Sequence, residues 1–570
     1  MPFFSSYCKT LHGALLVTTA AFLCTAFFLG WWRTNNQYAQ QQADTWVLVG
    51  GITNTTAEFR SLGLQTLDVS KNPQFLNPVF TLDDVNDDDS LPQAITVTGL
   101  QPSTQYYYVV NNALIGRFRT PSTPGTRQNL TVALGGCAMT GSTSGVFDRI
   151  RRKDPDLFLH LGDLHYEDIA VPDLERRIDA ISTVLGSTPQ AQLYRSTGLV
   201  SMWDDHDWLG NNAAADTVVD AGSAIPIARQ SYTMAFPHYP LAAAETTTTT
   251  TSNDSTAGIY HAFTWGTVRF VVSDLRSEST ADYLFNDEQR DWLQREISQA
   301  DDYDFLVWVT TKPWIGGERT NDAWSKNPED RAQISEWLSA VPSRNVLAVS
   351  ADAHMLALDN GRNTYYGSNY NESDVVYSFP LLHSGPLDRM GSAKGGPYTQ
   401  QCVAADDERN HQYSVLSFSF PEDQDPCLRI EAFRFTDFSG EELVFEQSWC
   451  GELYGAADTT GALTTDACTI PSYSPLTQGL FYTAVGLLVL SLIAAQWLVR
   501  PWPETIGISI IMVVGWGLVV ALAAYLPVLR GYSNTDVQPA FILVGVQAAV
   551  YLLLVFGFRL RFQRRRRREV

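Results

Sequence analysis

Basic residues are scarce in this 570-residue chain: 39 Lys and Arg stand against 61 Asp and Glu, a net charge of −22. A surface of that sign disfavours nucleic acid as a partner, because phosphate backbones need basic patches. Global disorder is excluded as well, since 45% of the residues are hydrophobic. No long-period internal repeat is visible, and the length calls for several domains. Four stretches lack charge altogether. Leu11–Trp32, Gly479–Val499, Ile506–Leu526 and Pro539–Phe558 contain no Asp, Glu, Lys or Arg, and each is long enough to cross a hydrocarbon core of about 30 Å. Their only amides are Gln496 and Gln547. Transporters and channels usually need polar groups within the membrane, so these helices read as anchors.

The first stretch is read as a retained anchor entered from Lys9. A cleaved signal peptide is the alternative, although the apolar run is long for one and no clear Ala-x-Ala site follows. Arg559, Arg561 and Arg564–Arg568 follow the last stretch and should stay cytoplasmic by the positive-inside rule. Counting back through three spans puts the segment before Gly479 outside the cytoplasm, and a single span from Lys9 gives the same side. The expected organisation is therefore residues 1–43 as cytoplasmic N-terminus and first span, an extracellular or lumenal region, spans within 479–558, and a cytoplasmic tail at 559–570.

Cysteine is sparse too, at seven residues. Cys402, Cys427, Cys450 and Cys468 crowd late in the outer region, enough for two disulfides of open connectivity. Cys137 is the odd one out. Asn54, Asn129, Asn253 and Asn371 open N-glycosylation sequons on the expected outer side.

Residues 44–122 carry short runs rich in Val, Ile, Thr and Tyr, broken by Gly, Pro and Asn, with no competing helical period. They predict a small all-β sandwich, with Asp83–Ser90 as an acidic loop and Pro121–Thr126 as a linker. From 127 to 470 the rhythm changes to strand–loop–helix, an α/β pattern. Helices are expected at Val146–Lys153, Asn286–Gln299 and Asn327–Ala340. Thr246–Thr251 is a run of threonines, read as a flexible loop.

The apolar strands of this second region end in chemistry. LTVALGGC ends at Cys137; LFLHLGDLHYED places Asp163 and Tyr166; LVSMWDDHD ends in Asp204, Asp205, His206 and Asp207. VRFVVSD is followed by Arg276, and VLAVSADAH closes with Asp352 and His354. Taken singly, such an Asp is a turn former or helix cap. Carboxylate, imidazole, phenol and thiol at successive strand ends instead deliver ligands for a di-metal site to one sheet edge.

These motifs resemble the metallophosphoesterase superfamily in its PhoD-type alkaline phosphatase/phosphodiesterase variant, here as GGC, GDLHYE, WDDHDWLGNN, SDLR and SADAH. The phrase VTGLQPSTQYYYVV resembles the fibronectin-III-like domains that precede some phosphatase domains. The resemblance spans about Asp44 to Asp437. It implies a β-sandwich flanked by helices, behind the small β-domain and with added helical anchors. It departs in Ala351, where Gly is usual, and in the added C-terminal spans. VWVTTKPW offers Thr310, Thr311 and Lys312 where many superfamily members have His, an absence shared by the PhoD-type variant.

The resemblance implies a bridging role for Asp163. Cys137, Tyr166 and His354 would complete a site suited to ferric iron, through anionic thiolate and phenolate donors. Asp204, Asp205 and Asp352 suit calcium, manganese or magnesium, and zinc could replace iron. The expected activity is hydrolysis of phosphomonoesters or phosphodiesters by in-line attack of a metal-bound hydroxide. His206 would act on the transition state or leaving alkoxide. Arg276 would clamp phosphate, with an ion pair to Asp274 as the structural alternative. The competing reading is a membrane-anchored binding or adhesion protein with a non-catalytic phosphatase-like domain.

Overall fold

The computed structural model describes residues 43–453 except 84–90, 217–220, 243–257, 316–321, 368–377, 392–395, 403–408 and 437–439. Seven short strands come first: β1 (Trp46–Gly50), β2 (Thr56–Leu62), β3 (Leu67–Ser70), β4 (Phe80–Leu82), β5 (Gln93–Thr98), β6 (Gln105–Val110) and β7 (Leu114–Arg119). Alternation in β6 buries Tyr106 and Tyr108 on one face. The strands form one layer of β1-β2-β5 and another of β4-β3-β6-β7. Phe59 of β2 reaches across to Tyr108 at 5.1 Å and to Phe118 at 5.8 Å between ring centroids. The first layer does not stop at its own edge. β1 pairs in parallel with a strand of the following region, Gly50 opposite Leu199, so it continues that region's sheet.

The second region supplies β8 (Leu130–Gly135), β9 (Leu157–Leu161), β10 (Gly198–Met202), β11 (His261–Trp265), β12 (Val268–Val272), β13 (Phe305–Val309) and β14 (Val346–Ser350). Later come β15 (Leu356–Asp359), β16 (Leu381–Ser384), β17 (Arg389–Met390), β18 (Gln400–Cys402), β19 (Arg409–Asn410), β20 (Gln412–Ser419), β21 (Cys427–Thr436) and β22 (Gly440–Cys450). Two large sheets result. One runs β22-β21-β20-β8-β9-β10-β1-β2-β5, the other β11-β12-β13-β14-β16-β15-β18. Their parallel centres are β8-β9-β10 and β12-β13-β14. LFLHL, FLVWV and VLAVS are buried at every position, as parallel strands covered on both faces must be.

The helices are α1 (Val146–Arg152), α2 (Leu174–Gly186), α3 (Thr188–Arg195), α4 (Asp205–Trp208), α5 (Ala221–Ala235), α6 (Asp287–Ser298) and α7 (Pro328–Ser339). Their starts follow local chemistry. Asn286 caps α6 by accepting from Gln289 N, and Pro328 opens α7. Helices α1, α2, α3 and α5 share a core with Ala133, Phe158 and Leu199 of the first sheet. α6 and α7 share another with Val271, Trp308 and Ala348 of the second. There Trp308 sits 5.6 Å from both Trp314 and Trp324, and each such ring contributes about 2–3 kcal/mol on burial. The sheets meet where Phe305 packs on Phe418 at 5.2 Å and Ser384 Oγ donates to Leu134 O at 2.9 Å. The result is a β-sandwich flanked by helices.

Cys427 and Cys450 form a disulfide between β21 and β22, and Cys137 is free and buried. Among the described residues no helix is long and apolar enough to cross a membrane. The four expected spans, the arginine tail, Cys468, the threonine run and the sequons at 253 and 371 all lie outside the described residues.

Candidate metal centre

Three loops that follow parallel strands build the first half of the site. Past β8 the backbone of Cys137 donates to Gly162 O at 3.0 Å, and Ala138 donates to Asp163 O at 3.1 Å. These bonds zip the thiol loop onto the loop after β9. Cys137, Asp163 and His354 adopt φ of 61°, 56° and 51°, a left-handed conformation that costs a non-glycine residue free energy and clusters at functional positions. One donor atom each from Cys137, Asp163 and His354 lies within 4.8 Å of the others. Tyr166 joins them: its hydroxyl donates to Asp163 Oδ2 at 2.8 Å and lies 3.3 Å from His354 Nε2. His354 Nδ1 is 2.8 Å from Met390 O. A carbonyl can only accept, so Nδ1 carries the proton and Nε2 keeps its lone pair for the site.

The second half grows from the loops after β10 and β14. Donor atoms of Asp204, Asp205 and Asp352 lie within 4.8 Å of one another, and so do those of Asp163, Asp205 and His206. Asp163 thus belongs to both halves. Asp207 points elsewhere, accepting from Leu164 N at 2.9 Å, His165 N at 3.3 Å and Asp204 N at 3.2 Å. It ties the two acidic loops together.

Glycine sets the spacing of these loops. Gly162 has φ +95°, and a Cβ there would meet Asp204 Cβ at 2.5 Å. A Cβ on Gly136 would lie 3.0 Å from Ala351 Cβ and 2.8 Å from Gly162 O. The methyl of Ala351 is therefore accommodated because the facing residue has none.

The donor set fits cations. Burial, and then the charges of neighbouring carboxylates, push Asp163 and the Cys137 thiol well above their ordinary ranges. Burial also dominates Asp204, which stays well raised although Arg276 pulls the other way. Asp204 Oδ2 is buried without a hydrogen-bond partner. So many buried acidic groups are costly unless compensated, and hard oxygen donors beside a thiol and a phenol suit bound metal ions.

Arg276 lies beneath this cluster, fully buried. Its Nε donates to Asp204, its Nη1 lies 2.8 Å from Asp322, and its Nη2 lies 3.8 Å from Asp205 and 3.9 Å from Asp352. Burial lowers its pKa, but the four carboxylates outweigh that and hold it well above normal. Asp274, the partner suggested by sequence, bonds instead to Trp203 Nε1 and to the backbone of Arg276. Arg276 therefore neutralises and positions the acids.

His206 stands at the rim. Its Nδ1 is 2.6 Å from Asp168 Oδ1, and its ring lies 4.1 Å from that of Tyr166. Asp322 and Arg389 belong to no strand-end motif of the sequence. Asp168 closes the LFLHLGDLHYED motif, five residues after Asp163, but the motif does not single it out, and Asp322 lies well beyond the end of β13. The VWVTTKPW segment has no His, Cys, Asp or Glu to bring to the three clusters. Thr310 Oγ1 accepts from Trp324 Nε1 at 3.2 Å, and Lys312 pairs with Asp322 at 2.7 Å.

No family model matches the chain. It is 23% identical over 304 residues to purple acid phosphatase 15 of Arabidopsis thaliana, covering 51% of each chain. The chain thus spans about half the length of that curated relative. Among solved structures, PhoD superposes with a TM-score of 0.57 at 14% identity, over 72% of this chain and 90% of PhoD. Purple acid phosphatase PPD1 from yellow lupin (Lupinus luteus) seeds gives 0.46 at 12% identity, over 74% and 78%. The PhoD likeness is one of fold.

Proposed function

We propose that this chain is a metal-dependent phosphoesterase that hydrolyses phosphomonoesters or phosphodiesters. The observation that carries the reading is the position of Asp163, whose carboxylate belongs to both a Cys137–His354 donor group and an Asp205–His206 one. Cys137, Asp163, Tyr166 and His354 would hold ferric iron, or zinc in its place. Asp204, Asp205 and Asp352 would hold calcium or another divalent ion such as manganese or magnesium. Such a pair supplies an activated water and neutralises charge on the phosphoryl oxygens.

The chain's own residues do the rest. Met390 O fixes the tautomer of His354. Asp168 takes one ring nitrogen of His206, leaving the other to protonate a departing alkoxide. Arg276 keeps Asp205 ionised: burial would raise that carboxyl, but Arg276 and His206 outweigh burial and lower it. The uncharged segments and the terminal arginines support a membrane anchor of four helices with the enzyme domain extracellular or lumenal.

Metal analysis of the purified full-length chain, paired with hydrolysis of chromogenic mono- and diesters, tests the activity. Stoichiometric metal with turnover is expected. Metal without turnover would mark a binding protein, and absence of both would end the reading. For the topology, tail arginines digested from outside sealed right-side-out vesicles would overturn it.

A further inference from the structure

With Arg276 buried under carboxylates, the substrate's phosphate lacks its expected guanidinium. We propose that Arg389 grips it; the inference rests on the phosphoesterase reading above. The segment that carries Arg389 is strapped to the metal-donor loops on both sides. Leu387 N donates to Gly136 O at 2.8 Å, Asp388 N to Cys137 O at 3.2 Å, and Met139 N to Asp388 O at 3.1 Å. On the far side, Met390 O receives His354 Nδ1 at 2.8 Å. The backbone of Arg389 therefore runs between two of the donors, and its position is set before any ligand arrives.

Its side chain lies over Tyr166, with Cζ 3.7 Å from the ring centroid. Tyr166 in turn bonds to Asp163, so the guanidinium sits beside the iron-type donors. Its bonding there is poor. Nη1 donates to Met139 Sδ at 2.8 Å, a weak acceptor, and Nε is buried with no hydrogen-bond partner. Among the described residues no carboxylate pairs with it, whereas Arg276 contacts four. A half-buried planar cation with spare donors and no counter-charge is matched by a phosphate, whose oxygens accept two parallel N–H bonds. Stacking on Tyr166 orients the planar fork.

The test uses the full-length, metal-loaded chain with orthophosphate as the probe, scored as an inhibitor of chromogenic ester hydrolysis. Arg389→Met retains the apolar contact with Tyr166 and Met139 but removes the charge. Losing a charged hydrogen-bond donor should raise KM and the phosphate inhibition constant together, by roughly 10- to 100-fold. Metal content and the unfolding midpoint should stay as in the native chain, and Arg389→Lys should recover part of the phosphate affinity. If the native chain is inhibited by phosphate and Arg389→Met is inhibited equally, the proposal falls while the phosphoesterase reading stands. Metal loss with unchanged phosphate affinity per loaded site would make Arg389 a structural support for Tyr166, which also overturns it. A native chain that neither hydrolyses esters nor binds orthophosphate removes both.

Discussion

Replacing Arg276 with Met separates a support for the acidic cluster from a clamp on the substrate. The native guanidinium is fully buried and touches Asp204, Asp205, Asp322 and Asp352. Met fills similar space without charge. Asp322 would keep Lys312 at 2.7 Å, so the carboxylate left stranded is Asp204, whose Oδ2 already has no hydrogen-bond partner. Removing one partner of a buried ion pair costs about 3–5 kcal/mol through the charge left behind. That is an upper bound here, because Asp204, already raised well above its ordinary range, can shed that charge by taking up a proton. Denaturant unfolding of the full-length chain after chelation should show a loss of up to that size. Adding Asp204→Asn should return much of it, a coupling that a double-mutant cycle reads directly. A substrate clamp behaves differently: stability would change by less than about 1 kcal/mol while KM for phosphate esters rises. That second pattern would refute the assignment of Arg276 to the cluster.

Asp163→Asn and His354→Ala should each abolish hydrolysis and lose bound metal, whereas His206→Ala should keep metal and lose turnover by about 10²–10⁴-fold; metal analysis with initial rates checks this, and equal metal loss in all three would erase the distinction. Gly162→Ala should destabilise by about 2–4 kcal/mol through its positive φ and the contact with Asp204. Gly99, at φ +75° with nothing within 4 Å of a Cβ, is the control and should lose only about 1 kcal/mol on the same change. Burial holds His160 at a pKa of about 3 and His261 at about 4. Both are below the ordinary 6.5, so the unfolded chain binds more protons in acid. Their stabilisation is complete above pH 6.5 and is lost as pH falls toward 4, at about 2.7 kcal/mol per pH unit for the two. Asp207 and Glu278, raised to about 7, titrate with the opposite sign in the same window. Unfolding titrations from pH 8 to 5 are therefore read as the difference between the native chain and His160→Phe, which should be flat above pH 6.5 and change by about 1.4 kcal/mol per pH unit below it.

Much of this protein is legible in its sequence alone. Near-continuous apolar runs such as FLVWV and VLAVS announce parallel strands buried on both faces, because helices or a second sheet cover both sides of such a sheet. Helix limits are visible where a cap marks them, as at Asn286 and Pro328. Cys137, Asp163, Tyr166, Asp204, Asp205, Asp352 and His354 stand out because they end successive strands, and a parallel layer brings such ends to one edge. Separate strands can advertise a shared site only through that repetition. Tertiary structure alone decided what each charge faces. Sequence offers Asp274 to Arg276 because they are neighbours in the chain, yet folding carries the guanidinium under Asp204 and Asp322, from other loops. It likewise places Arg389 over Tyr166 without any motif to mark it, and turns Asp168, the last residue of LFLHLGDLHYED, onto His206. It also joins β1 to β10, extending through the front strands a sheet that composition alone divides at a linker. Ligand identity is written locally, in which residue follows each strand. Charge partnership depends on distances between loops remote in sequence, and those exist only once the two sheets have packed.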